Sequence, residues 1–169
     1  VGIKKKSEKK DMALVYSKAP CKVAGTFTKN VVKAACVKYD MDVVENSPFV
    51  QAVVVNSGIA NACTGKQGYE YCGATAKAAS ECLNIPDSAV LVASTGVIGM
   101  PLDITPIQNS IEALYNELGN SLESSKNAAE NCGRMEGISC DLCRWSYTDQ
   151  SGPCRDPLPV SHSGRAGIY

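Results

Sequence analysis

The chain has 169 residues, 44% of them apolar, with 17 basic and 17 acidic residues and a formal net charge of zero. That length suits one domain with a real core, and the balanced charge argues against a dedicated nucleic-acid or membrane-surface binder. No apolar run approaches the roughly 18 residues of a membrane span, and the lysine-rich start is not followed by the apolar segment of a signal peptide.

The first residue is Val1, not Met, which points to a start further upstream. Met12 to Ser17 and Lys22 to Thr28 read as two strands joined through Lys18-Ala19-Pro20. Lys33 to Tyr39 is a third strand candidate. Gln51 to Val55 is a continuous apolar, β-branched run and predicts a buried strand. It opens into Asn56-Ser57-Gly58-Ile59-Ala60-Asn61-Ala62-Cys63-Thr64-Gly65, which is too rich in Asn and Gly for a strand or helix interior and reads as a loop. An alanine-rich helix is expected from about Gly68 to Leu83, closed by Asn84-Ile85-Pro86. Ala89 to Ala93 is the next buried strand. Thr105-Pro106-Ile107-Gln108 has the form of a capping box with proline at the first helical position. Ile107, Ile111, Leu114 and Leu118 then share one helical face, and Gly119 supplies a stop. A shorter helix is expected from Ser121 to Glu130. Strands first, then strand–helix alternation, indicate an α/β fold with a mixed sheet layered with helices.

Nine cysteines are present. Five of them, Cys21, Cys36, Cys63, Cys72 and Cys82, are scattered singly among Val and Ala, where cysteine acts as a small buried hydrophobe. An odd total without a secretory signal does not describe a disulfide framework, and a reducing, cytoplasmic compartment is expected.

The basic residues divide the chain. All thirteen up to Lys126 are lysine, and all four after Asn131 are arginine. From Asn131 to Tyr169 there is no sustained alternation and no helical stripe, and Gly, Ser and Pro dominate Ser151 to Gly167. No fold requires such a switch. A change in how the DNA is read would produce one, and so would a short second module of different origin. The expected organisation is therefore a domain over 1–130 and an irregular, unrelated tail over 131–169.

Two loops follow buried strands, the usual place for sites in open α/β sheets. Gly65-Lys66 invites a phosphate reading, but Gln67 stands where a P-loop needs Ser or Thr, and no Gly-x-Gly-x-x-Gly is present. Ala93-Ser94-Thr95-Gly96-Val97-Ile98-Gly99 has a clearer chemical use. A Thr95 hydroxyl beside a Gly96 amide can aim two donors at one point, as an oxyanion hole does. The plain alternative is a strand-end turn that caps the following helix.

Gly2-Ile3-Lys4, Lys10-Asp11-Met12-Ala13-Leu14-Val15, Ala24-Gly25-Thr26-Phe27-Thr28, Val32-Lys33-Ala34-Ala35, Val54-Val55-Asn56-Ser57-Gly58 and Ala60-Asn61-Ala62-Cys63-Thr64-Gly65, with the Thr95-Gly96 stretch, carry a resemblance. Over residues 2–130 the chain closely resembles the N-terminal (α) part of the ArgJ family, the ornithine acetyltransferases (glutamate N-acetyltransferases). The resemblance implies a DmpA/ArgJ-like α/β fold, incomplete in this chain, and an N-terminal-nucleophile acyltransferase of arginine biosynthesis. In such enzymes the precursor cuts itself before a threonine, which becomes the nucleophile at the head of a β chain. Acetyl passes from N-acetylornithine to that threonine and then to glutamate; some members also accept acetyl-CoA. No other cofactor and no metal are implied. Thr95 and Gly96 are the implied oxyanion hole. Asn56, Asn61 and Lys66 fall in the other family-like loop and are expected to build it. The implied partners are the two substrates and the β chain, in an α2β2 heterotetramer, with no nucleic acid and no membrane.

The resemblance stops after Glu130. Where the family continues Ala-Ile-Met-Thr-Thr-Asp-Thr, this chain has Asn131-Cys132-Gly133-Arg134-Met135-Glu136. The tail has no lysine and no Ala-Thr cleavage site, and Thr148 follows Tyr147. A frameshifted, truncated or mis-assembled reading frame is expected, and a chain that alone neither self-cleaves nor transfers acetyl. Apolar strand faces left without their partner would favour poor solubility or association. A reading of a different class takes the tail as a zinc site of Cys132, Cys140, Cys143, Cys154 and His162 on a non-enzymatic binding or regulatory protein, although one C-x-x-C pair is a weak signal.

Overall fold

A computed structural model describes residue 3 and residues 11–119. The expected helix over 121–130, the irregular tail and its cysteines lie outside the described residues. The elements run β1 (Met12–Cys21), α1 (Ala35–Asn46), β2 (Val50–Ile59), α2 (Gly65–Leu83), a 3₁₀ turn (Asp87–Ala89), β3 (Val90–Val97) and α3 (Thr105–Asn116).

The three strands form one mixed sheet in the order β1-β2-β3. β1 pairs antiparallel with β2, and β2 pairs parallel with β3. The α/β expectation holds: β2 and β3 are the buried apolar runs, and α2 is the crossover between them, as parallel neighbours require. Met12, Leu14, Ala52, Val54, Val90 and Val92 share one face and make the main core with Cys72, Ala76, Ala79 and Leu83 of α2 and Ile107 and Ile111 of α3. Ala13, Val55 and Ala93 share the opposite face and form a smaller cluster with Val15 and Val53. The alternation that separates the two sets is the two-residue period of a strand.

Several boundaries differ from the sequence reading, each for a physical reason. Lys33 to Tyr39 is not a strand; it falls in the lead-in and first part of α1. The buried positions Ala35, Cys36, Asp40 and Val43 recur at helical spacing, which a seven-residue window ending at Tyr39 is too short to display. Lys22 to Thr28 is not a strand either. Val23, Gly25 and Phe27 are half-buried and their neighbours Lys22, Ala24 and Thr26 exposed, so the alternation is real, but no strand pairs with it among the described residues. Lys18-Ala19-Pro20 does not end β1. The strand runs through it with a break in register between Tyr16 and Cys21, where the Ser17 hydroxyl donates to the Ala19 carbonyl at 2.8 Å. Proline is tolerated there because β1 is an edge strand among the described residues, at an irregularity.

α2 begins three residues earlier than expected and ends as expected, with Asn84 in the left-handed conformation at φ 54°. The capping box of α3 does not form. Thr105 is already helical, and Asp103 Oδ1 accepts the Thr105 N–H at 3.0 Å instead. Ile107 and Ile111 are buried, but Leu118 is exposed and the helix closes at Glu117, before Gly119.

Candidate active site

The Asn/Gly-rich stretch after Val55 is the largest departure from the sequence reading. β2 continues through Asn56-Ser57-Gly58-Ile59, and β3 continues through Ser94-Thr95-Gly96-Val97. The two extensions pair in parallel register: Asn56 with Ser94, Ser57 with Thr95, Gly58 with Gly96. Thr95 and Gly96 therefore sit inside the sheet, at the C-terminal ends of two parallel strands, and not in a turn. This is where sites collect in α/β sheets.

Gly96 has φ +136°, and its strand partner Gly58 has φ +125°. A Cβ at Gly96 would lie 2.2 Å from the Gly58 carbonyl carbon. The two backbones meet closely only because both residues lack a side chain. Gly58 is a site-building residue that sequence reasoning placed in a loop; its signal was an Asn-Ser-Gly following a β-branched run.

Backbone alternation decides which groups of β3 are free. The Val97 carbonyl accepts from Ala60 N–H on the β2 side at 3.0 Å. Val92 N–H points to the other side, where it donates to Asp40 Oδ1 at 2.9 Å. In a strand, consecutive residues turn their backbone groups to opposite edges, so Val90, Val92, Ser94 and Gly96 share the edge that pairs with no strand among the described residues. The Gly96 N–H thus faces away from β2, on an exposed residue. Thr95 is half-buried, and its side chain leaves on the face of Ala93 and Val55, opposite the main core. Thr95 and Gly96 are thus adjacent donor-bearing residues at this end of β3.

The neighbouring polar groups hold this corner. The Ser94 hydroxyl donates to Asn56 Oδ1 at 2.6 Å, and the Asn56 amide donates to the Ile59 carbonyl at 3.1 Å. Gly99 N–H donates to the Ala62 carbonyl at 2.9 Å, tying the loop after β3 to the loop after β2. Asn61, at φ +49°, is buried; its amide donates to the Gly68 carbonyl at 2.9 Å and to the Cys72 sulfur at 3.3 Å, and its oxygen accepts from the Thr64 hydroxyl at 2.8 Å. Asn56 and Asn61 are thus framework residues of the loop. Lys66 is solvent-exposed and pairs with Glu70 at 3.5 Å along α2, which contributes little to stability.

α1 places three titratable groups under the free edge. Asp40 is 1% exposed. Burial pushes its carboxyl up to about 7, against the opposing effect of the Val92 N–H. Burial also raises the Cys36 thiol, tempered by the Ser94 N–H that faces it. Burial likewise raises Tyr39, with Asp87 and Asp40 adding to the effect. From α2, Cys72 is pushed up to about 12 by burial, then by Cys36 and Asp40. Cys36, Tyr39 and Cys72 stay neutral near pH 7, so none is a thiolate or phenolate nucleophile there. The described residues contain no group of three or more His, Cys, Asp or Glu placed to hold a metal ion. The zinc reading concerns residues outside the described part. No helix among the described residues is long and apolar enough to cross a membrane.

A hollow of about 250 Å³ opens elsewhere, beside the N-terminal ends of α1 and α2, lined by residues that include Val32, Lys33, Lys38, Cys63 and Tyr69. Thr95 and Gly96 do not line it.

Comparison with known proteins gives one consistent result. The sequence profile of the ArgJ family matches residues 1–133. An arginine biosynthesis bifunctional protein ArgJ of Thermotoga neapolitana is 46% identical over 114 residues, 67% of this chain and 29% of that protein. The ArgJ 1 protein of Clostridium acetobutylicum is 47% identical over 117 residues, 69% of this chain and 28% of that protein. The chain thus spans less than a third of the length of these relatives. Among solved structures, ornithine acetyltransferase of Mycobacterium tuberculosis in complex with ornithine superposes with a TM-score of 0.73 at 36% identity, covering 78% of this chain and 70% of that one.

Proposed function

The chain belongs to the ArgJ family, and from that premise we propose that it is the α part of an ornithine acetyltransferase. The reaction moves acetyl from N-acetylornithine to glutamate, in arginine biosynthesis in the cytoplasm. Thr95 and Gly96 are its oxyanion hole. The observation that carries this reading is the Gly96 N–H, next in the chain to Thr95, on an edge of β3 that pairs with no strand among the described residues, at a Gly58–Gly96 pair that no side chain crowds. Donors fixed within a strand need no reorganisation as charge develops, which is what makes such a hole effective.

The nucleophile is a threonine at the head of the β chain. Its hydroxyl oxygen attacks the acetyl carbonyl while its free amine takes the proton. The carbonyl oxygen becomes an oxyanion and receives hydrogen bonds from the Thr95 hydroxyl and the Gly96 N–H. Collapse breaks the C–N bond, and ornithine leaves with a proton. Glutamate's amino group then attacks the acetyl ester through a second oxyanion in the same hole, and the threonine hydroxyl is restored. In some relatives acetyl-CoA also serves as donor. The α part has no share in the nucleophile, so the 169 residues alone turn over no substrate. The family match runs to residue 133, three residues into the proposed separate tail of 131–169. Val97, Ile98 and Met100 stay exposed just beyond the hole, a surface suited to the β chain of an α2β2 assembly.

The test is complementation. The full chain is purified alone and with the separately expressed remainder of the Thermotoga neapolitana relative. N-acetylglutamate formation from N-acetylornithine and glutamate is expected only from the pair. Thr95→Ala should lower kcat of the pair by about 10²–10³-fold. Turnover by the chain alone, or a Thr95→Ala pair with undiminished kcat, would refute the reading.

A further inference from the structure

We propose that Asp40 is a positioning residue for the oxyanion hole: from α1 it pins the outer edge of β3, so that the Gly96 N–H, further along the same edge, is held open at a fixed place. This rests on the reading of Thr95 and Gly96 given above and adds to it a residue that touches no substrate.

The spacing on the two elements is commensurate. Cys36 and Asp40 are one helical turn apart, about 6 Å along α1. Ser94 and Val92 are two strand residues apart, about 6.6 Å along β3. Asp40 Oδ1 takes the Val92 N–H at 2.9 Å, and the Cys36 sulfur faces the Ser94 N–H. The next position one turn back is Val32, which precedes α1 and is 66% exposed. The row of helical caps therefore ends where the donor pair begins. An edge strand without such caps would offer all its N–H groups to any other strand. Here the Val90 N–H is taken by the Asp87 carbonyl and that of Val92 by Asp40, Cys36 faces that of Ser94, and that of Gly96 has no such cap among the described residues.

Asp40 is an expensive choice for mere edge cover. Its carboxyl is almost fully buried, and Oδ2 has no hydrogen-bond partner among the described residues. Burying a carboxyl with an unmatched oxygen is costly, so the contact to Val92 is where its benefit lies. On the other side of β3, Asn56 holds the Ser94 hydroxyl at 2.6 Å. β3 is thus fixed from both edges within four residues of Gly96.

The experiment uses the full chain, isotope-labelled for amide exchange, and the same chain paired with the relative's remainder for kinetics. Asp40→Ala removes the acceptor, whereas Asp40→Asn keeps an oxygen facing Val92. In Asp40→Ala, exchange at Val92 is expected to speed up at least about tenfold, and the Gly96 amide resonance to move. Per titrated active site, kcat should fall about tenfold at unchanged KM, which is a loss of transition-state stabilisation alone. Asp40→Asn should restore both readouts. If the alanine variant does not fold, Asp40→Val drops the acceptor at closer volume. A folded Asp40→Ala or Asp40→Val pair with wild-type kcat overturns the proposal, as does an Asp40→Asn pair as impaired as alanine. Loss of kcat in Thr95→Ala with none in Asp40→Ala removes only the role of Asp40. An unimpaired Thr95→Ala pair removes the oxyanion reading and this inference with it.

Discussion

Gly96 carries two constraints at once. Its φ of +136° is a backbone conformation that L side chains rarely adopt, and a Cβ there would meet the Gly58 carbonyl at 2.2 Å. Neither can relax cheaply, because the obstacle is the backbone of β2. Gly96→Ala is expected to destabilise the chain by roughly 2–4 kcal/mol, from strain plus displacement of β2. A shift in the urea midpoint measures this, and a midpoint within error of wild type would show that the strands can part there without cost. Thr95 has no such restriction: it lies in ordinary strand backbone, half-buried, and its replacement belongs to the kinetic test alone.

At the scale of elements, the helix starts are where local chemistry and local structure disagreed. Thr105-Pro106 looks like the cap and first residue of α3, yet the side chain that accepts an N–H there is Asp103, two residues ahead of Thr105. An acceptor at this position satisfies a donor that the first turn cannot satisfy for itself. Asp103→Ala is expected to cost about 1 kcal/mol and Thr105→Ala only a few tenths. Urea denaturation of the two variants decides between them, and the reverse order would restore Thr105 as the cap. α1 is the other instructive element. Its buried face contains Cys36 and Asp40, and a buried aspartate masks the apolar period by which a helix is recognised.

For the whole molecule, the buried Asp40 sets a pH dependence. Its folded value of about 7 lies above the ordinary value of 3.8 that it regains on unfolding. Between those values the folded state holds a proton that the unfolded state has released. The contribution is therefore complete below about pH 4 and is lost as pH rises through 7. At most it amounts to roughly 4 kcal/mol. Cys36, Tyr39 and Cys72, which face Asp40, are all shifted upward and stay neutral across this window. Melting temperature of the full chain is expected to fall from pH 5 to pH 8, and Asp40→Asn to flatten that fall. Parallel profiles for the two proteins would show that another group carries the dependence.

The sequence by itself determined what depends on neighbours along the chain. The apolar runs at 51–55 and 89–93 read as buried strands, and the alanine-rich stretch between them as a helix. Thr95-Gly96 was identifiable as a pair of donors, and the family was legible from short ordered blocks. Tertiary structure decided what depends on pairing across the chain. Asn56-Ser57-Gly58 has the composition of a loop, and it is a strand because Ser94-Thr95-Gly96 lies beside it in register. Lys22 to Thr28 has the pattern of a strand and is not one, because no partner strand lies beside it among the described residues. The same principle separates Gly96 from Asp40. A glycine after a strand signals its special backbone along the chain itself, whereas an aspartate becomes an edge clamp only when packing brings α1 under β3, 52 residues from the N–H it accepts.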